Sequence, residues 1–232
     1  MTGRWWLVPA EGEVARPPLV GPRDADALAP ALERGDIVAL PSVGGYVLAV
    51  LAARPDAEHR LDALVADPDG PHYQAANSEA VRPLTSGWSE EVEKLLARCW
   101  PGPLELFLPR ADAPPPDAEG ETAEHVGSWG MVVGTPDGRV LRRLCRQHGP
   151  WRTAPLVYAD AAEVAHAFDA GDVACVLDGG RRDGLPPTQV DATVSPLRIF
   201  REGALPASFV EGAVLMNARR RLRFFRRSEP ER

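Results

Sequence analysis

The chain has 232 residues, 44% of them hydrophobic and 25% charged, the ordinary mixture of a globular domain with a sizeable core. No run approaches the ~20 apolar residues of a membrane span, and "RWWLVPA" near the start is too short for a secretory signal, so the default expectation is a cytoplasmic protein. The net charge of −7 is uneven: seven arginines and three glutamates follow position 206, which leaves the rest of the chain near −11; an acidic body excludes whole-surface nucleic-acid binding and carries no DNA signal, while the basic end leaves a local contact open.

Residues 1–22 form a Trp- and Pro-rich lead-in with one strand, "RWWLV". "DADALAPALERG" reads as a helix with Asp24 or Asp26 as cap and Gly35 as its end. "DIVALPS" is a buried strand running into the glycine loop "VGG", which reads either as a strand-to-helix turn needing positive φ or as a ligand loop whose Gly44 and Gly45 N–H groups meet an anion. "LDALVAD" is taken as a further strand. "SEEVEKLLARCW" is a helix capped by Ser89, with Val92, Leu95, Leu96, Cys99 and Trp100 as its apolar stripe. Pro101 and Pro103 cannot continue it, Gly102 frees the backbone between them, and the chain resumes as the strand "LELFLP". The Pro-rich, acidic "ADAPPPDAEGETAEH" is a surface connection. Strands "GMVVGTP", "APLVYA" and "VACVLDGG" then alternate with helices "RVLRRLCRQHG" and "AAEVAHAFDAG". "TQVDATV" and "LRIFREG" are two last strands around an "SPL" turn. This alternation indicates an α/β sheet.

The three cysteines and five histidines show neither CxxC, HxH nor HExxH spacing, so no disulfide framework or metal site is signalled. P-loop, GxGxxG and GxSxG motifs are absent, which leaves kinase, Rossmann and hydrolase readings without support.

Five segments in order give the chain a likeness. "ALERGDIVALPSVGGYVLAV", "WPGPLELFLP", "MVVGTPDGRVLRRLCRQHGP", "VLDGG" with "TQVDAT", and "IFREGAL" together resemble the YrdC-like family of threonylcarbamoyl-AMP synthases, which make the activated intermediate for a tRNA adenosine modification. The resemblance covers roughly residues 24–206. It implies a YrdC-like twisted open mixed sheet with flanking helices around a concave cleft. It also implies three units: a lead-in over 1–22, the YrdC-like domain over 23–206, and a basic arm over 207–232.

The resemblance also implies a site for ATP, bicarbonate and threonine, with Mg²⁺ carried by ATP if the activity survives. The positions that match the family's substrate loops are Tyr46, Thr188, Asp191 and Arg201, and Ser42 keeps a hydroxyl where the family has threonine. Arg54 or Arg60 stands as a substitute cation, because the family's Lys-x-Arg pair is absent: Lys94 is the only lysine. Gly134 stands where the family has a strand arginine, and the Ser-x-Asn expected after Pro155 is missing. The scaffold segments are thus kept while substrate-holding positions are altered. The first expectation is a divergent member that binds a nucleotide, a small anion or RNA and has weakened or lost L-threonylcarbamoyladenylate synthase activity. The alternatives are an active synthase with a rebuilt site, or an RNA- or protein-binding accessory. RNA contact would run through Arg219, Arg220, Arg221 and Arg223 in the tail, where guanidinium groups meet phosphate. A salt bridge from Arg201 to Asp191 is the competing structural role for both.

Overall fold

The computed structural model of the chain describes residues 14–65, 70–113 and 129–215. The expected "RWWLV" strand and Arg219, Arg220, Arg221 and Arg223 lie outside the described residues. The strands are β1 (Leu19–Val20), β2 (Val38–Ser42), β3 (Gly45–Leu51), β4 (His72–Gln74), β5 (Leu104–Pro109), β6 (Gly130–Gly134), β7 (Trp151–Pro155), β8 (Cys175–Leu177), β9 (Thr188–Asp191) and β10 (Arg198–Arg201). They form one open mixed sheet in the order β1-β8-β2-β3-β7-β4-β6-β5-β9-β10. The helices are α1 (Ala29–Arg34), α2 (Pro55–Leu64), α3 (Ser78–Val81), α4 (Glu90–Cys99), α5 (Arg139–His148), α6 (Ala161–Ala167) and α7 (Ala207–Leu215).

Strand alternation sorts the core into layers. Val38 and Leu40 of β2, with Val47 and Ala49 of β3, pack with Leu32 of α1 and Leu144 of α5. Ala39, Leu48 and Val50 face the other way, towards Leu61 of α2 and Val164 of α6. Helices therefore cover both faces of this half of the sheet, and β2 and β3 are buried along their whole length. In the other half, Leu104, Leu106 and Leu108 of β5 pack with Leu95 of α4 and Val210 of α7. Phe107, on the opposite face, meets Val132 and lies edge-on to Phe200 at 5.3 Å.

The Pro-Gly-Pro joint works as expected and for a visible reason. Helix α4 begins at Ser89, whose hydroxyl accepts from the Val92 N–H at 3.4 Å, and stops at Cys99. A Cβ on Gly102 would stand 2.3 Å from the Cys99 carbonyl oxygen, so only glycine lets the chain fold back this closely. The Trp100 indole N–H donates to the Leu104 carbonyl at 2.9 Å and holds the start of β5 against the helix end.

Several expectations are corrected. The "LDAL" of "LDALVAD" is the end of helix α2, not a strand, and Ala66 and Asp67 lie outside the described residues. Pro55 sits in the first turn of α2, and Ala57 and Leu61, four residues apart, share its buried side. "APLVYA" is shifted, because the strand is β7 and ends at Pro155. The first helical stretch is a 3₁₀ segment, Pro22–Leu28, that leads into α1; its cap position is Gly21, with no side-chain bond. Asp26 instead pairs with Arg143 at 2.7 Å. "VGG" joins strand to strand: Ser42 pairs with Gly45 across a two-residue turn in which Gly44 has φ +78°. The described start of the stretch expected as a basic arm is helix α7, which buries Val210 and Ala213 against the body. No helix among the described residues is long and apolar enough to cross a membrane.

Candidate functional site

The ends of β2, β7 and β9, the side of β5, and β10 converge on one cleft. Its inner part is a pocket of about 190 Å³ lined by Ser42, Gly44, His72, Glu105, Pro155, Pro187, Gln189 and Arg201. An adjoining depression of about 390 Å³ shares Ser42, Val43 and Gly44 and is lined by Arg142, Arg181, Arg182, Asp137 and Asp183.

The sequence-derived site residues divide by what their polar atoms do. The Tyr46 hydroxyl donates to the Gly180 carbonyl at 2.9 Å and accepts from the Gly179 N–H at 3.1 Å. Burial pushes its pKa up, partly offset by the Gly179 N–H, so the phenol stays neutral. Thr188, fully buried, donates to the Leu205 carbonyl at 2.6 Å. It accepts from the Gly203 and Leu205 N–H groups at 2.9 and 3.0 Å. Asp191, also fully buried, accepts from the Thr193 N–H and hydroxyl and lies 3.5 Å from Arg198. Its partner is thus Arg198 and not Arg201. These three residues hold turns in place.

Arg60 is brought elsewhere. It donates to the Gly35 carbonyl at 2.6 Å and lines a depression with Asp36, Ile37 and Ala170, because α2 carries it away from the cleft. Ser42 and Arg201 do face the inner pocket. The Ser42 hydroxyl accepts from the Gln74 side-chain amide at 3.4 Å, and Arg201 is exposed on β10.

Two residues that the sequence reading missed complete the inner pocket. Glu105 on β5 pairs in register with Gln189 on β9, and the Gln189 amide N–H donates to its carboxylate at 2.9 Å. A Cβ on Gly134 would stand 3.2 Å from Glu105 Cγ, so the Glu105 side chain lies over the position where the family's strand arginine is expected. The only signal in the sequence is a glutamate in β5 set beside a glycine one strand away, and its meaning depends on the register.

The adjoining depression is cationic but partly self-compensated. Arg182 pairs with Asp137 at 2.8 Å and Arg181 with Asp183 at 2.9 Å. Arg142 forms no ion pair among the described residues; one of its nitrogens donates to the Pro136 carbonyl at 3.4 Å. Helix α5 starts beside it at Gly138 with no side-chain cap, which leaves first-turn N–H groups for other acceptors.

A larger depression of about 550 Å³ lies apart from the cleft, around Glu58, Tyr73, Arg110 and Arg152. Its charges are paired internally: Arg152 with Asp62 at 2.7 Å and Arg110 with Asp112 at 2.6 Å. Tyr73 donates to Glu58 at 3.2 Å. Burial, then the Glu58 charge, pushes Tyr73 up to about 12, and burial raises Glu58. No group of three or more His, Cys, Asp or Glu side chains among the described residues could hold a metal ion. All three cysteines are buried and unbridged; burial pushes Cys145 to about 12 and Cys175 to about 11, which keeps them as unreactive thiols.

An open mixed α/β sheet with a polar cleft where β2, β5, β7, β9 and β10 meet is a YrdC-like architecture, and the E. coli YciO crystal structure shares the fold. It superposes with a TM-score of 0.69 at 15% identity, covering 84% of this chain and 99% of that one. The chain belongs to the Sua5/YciO/YrdC family, described as "Telomere recombination", which matches residues 30–203. The threonylcarbamoyl-AMP synthase of Pyrococcus abyssi (strain GE5 / Orsay) is 29% identical over 193 residues, 79% of this chain and 55% of the relative. That of Bacillus subtilis (strain 168) is 26% identical over 230 residues, 86% and 63% respectively. The chain therefore spans between 55% and 63% of the length of these relatives. The crystal structure of P. abyssi Sua5 complexed with L-threonine is 26% identical with a TM-score of 0.69, covering 84% of this chain and 60% of that one.

Proposed function

We propose that this YrdC-family protein binds a nucleotide or small anion in the arginine-lined half of its cleft and has weakened or lost L-threonylcarbamoyladenylate synthase activity. One observation carries the reading: the Glu105 carboxylate occupies the inner pocket above Gly134. ATP, bicarbonate and the threonine carboxylate are all anionic. A unit negative charge about 4 Å from Glu105 would be opposed by about 4 kcal/mol at an effective dielectric constant near 20, about a thousandfold in rate. The outer depression favours the binding half of the proposal, since guanidinium groups and uncapped helix N–H groups both suit phosphate. Purified protein given ATP, bicarbonate and threonine should release no pyrophosphate above background. Sustained turnover at rates typical of enzymes would remove the proposal.

A second reading, an active synthase with a rebuilt site, is favoured by Arg142, a guanidinium in the cleft with no ion-pair partner among the described residues. It requires measurable pyrophosphate release that falls at least tenfold in Arg142→Ala. ATP would bring its own Mg²⁺.

A further inference from the structure

The inner pocket contains more than an obstacle to anions. Two of its lining residues, paired in register across β5 and β9, carry oxygen acceptors. One is the Glu105 carboxylate, half-buried and in no ion pair among the described residues. The other is the side-chain oxygen of Gln189, a residue only 2% exposed, and this oxygen has no hydrogen-bond partner. Gln189 has its amide N–H turned to Glu105, which leaves the oxygen as the group awaiting a donor. Buried amide oxygens with no donor are rare in native proteins, because the desolvation is left uncompensated. The half-buried Glu105 carboxylate, held by one amide N–H and in no ion pair among the described residues, adds to that deficit. A ligand that brings N–H donors and positive charge would meet both deficits at once.

We propose that the inner pocket binds a small protonated amine, held by the Glu105 carboxylate and the Gln189 side-chain oxygen. This rests on the reading above that Glu105 makes the inner part of the pocket unfavourable to anions, and it names the class of ligand that a carboxylate there accepts. The volume of about 190 Å³ corresponds to roughly six waters at about 30 Å³ each, enough for a short alkyl chain beyond the ammonium group. Pro155, Leu156, Pro186 and Pro187 give that chain apolar walls. Arg201, the one arginine or lysine of the lining, is exposed, and solvent screens its repulsion.

Two probes of equal size and opposite charge, n-butylammonium and butyrate, test this on the full chain by ligand-observed NMR at neutral pH. Butylammonium should bind at least tenfold more tightly than butyrate. Glu105→Gln should reduce its affinity at least tenfold and Gln189→Leu severalfold. Equal or tighter butyrate binding would overturn the inference. So would butylammonium binding unchanged in a folded Glu105→Gln, or L-threonine binding at least tenfold more tightly than butylammonium. If Glu105→Gln fails to fold, the comparison of the two ions on the unsubstituted protein decides alone. ATP in a separate titration keeps the two readings apart: butylammonium binding without ATP binding removes only the nucleotide reading, and ATP binding without butylammonium binding removes only this one.

Discussion

Two sets of polar residues, one largely behind a cleft and one lining it, do opposite things. Tyr46, Thr188 and Asp191 are buried, and their polar atoms are committed to neighbouring backbone and side-chain groups. Ser42, Glu105, Gln189 and Arg201 line open space. A residue in a family motif is thus no guide to whether it touches ligand. The motif can persist because it ties turns together, while adjacent positions change charge and with it the chemistry.

The largest effect should come from the first set. Thr188→Val would strip the Gly203 and Leu205 N–H groups of their acceptor and the Leu205 carbonyl of a donor. At about 1–3 kcal/mol for each buried unsatisfied group, with incomplete additivity, urea denaturation should show a loss of about 3 kcal/mol. ATP affinity of the variant that remains folded should not change; if it collapses, Thr188 is a ligand contact and the division between the two sets fails. Next is Arg142→Ala, which should weaken ATP binding about tenfold by calorimetry, the value of one charge-assisted contact. Unaltered affinity would move the anion site elsewhere.

A smaller effect follows from the buried thiols. The unfolded chain releases their protons near 9.0, whereas the folded chain holds them to about 12 at Cys145 and about 11 at Cys175. The folded state therefore binds more protons across that window, and stability falls as pH rises through it. Each thiol should remove about 1 kcal/mol between pH 8 and pH 10, and Cys145→Ala should flatten the slope of a urea midpoint series. The smallest effect should be that of Arg60→Ala, about 0.5–1 kcal/mol from the lost bond to Gly35, with nucleotide affinity unchanged within twofold.

Much of the frame was legible because its signals are local. The Ser89 cap, the apolar stripe of α4, the Pro-Gly-Pro stop and the alternation of β5 all appear within a dozen residues. Strand β3 was not legible, since both its faces are buried and "GYVLAVL" shows no alternation. Nor was β4: His72, Tyr73 and Gln74 carry no apolar signal, yet two of the three are buried. The pocket was the least legible part. Glu105 looked like an ordinary outward-facing residue of an alternating strand. Its role depends on Gly134 and Gln189, which are neighbours only once β6 and β9 pair with β5 on either side.

Helix α7 bears on how this protein can be cut and made. It lies beyond the family match, which ends at residue 203, yet Val210 and Ala213 close the apolar cluster over α4. A chain shortened at 206 would leave a greasy groove open along α4, a surface that invites clumping. A nascent chain leaves that groove uncovered until α7 has cleared the ribosome. A deletion meant to test the arginine-rich tail should therefore begin after Leu215.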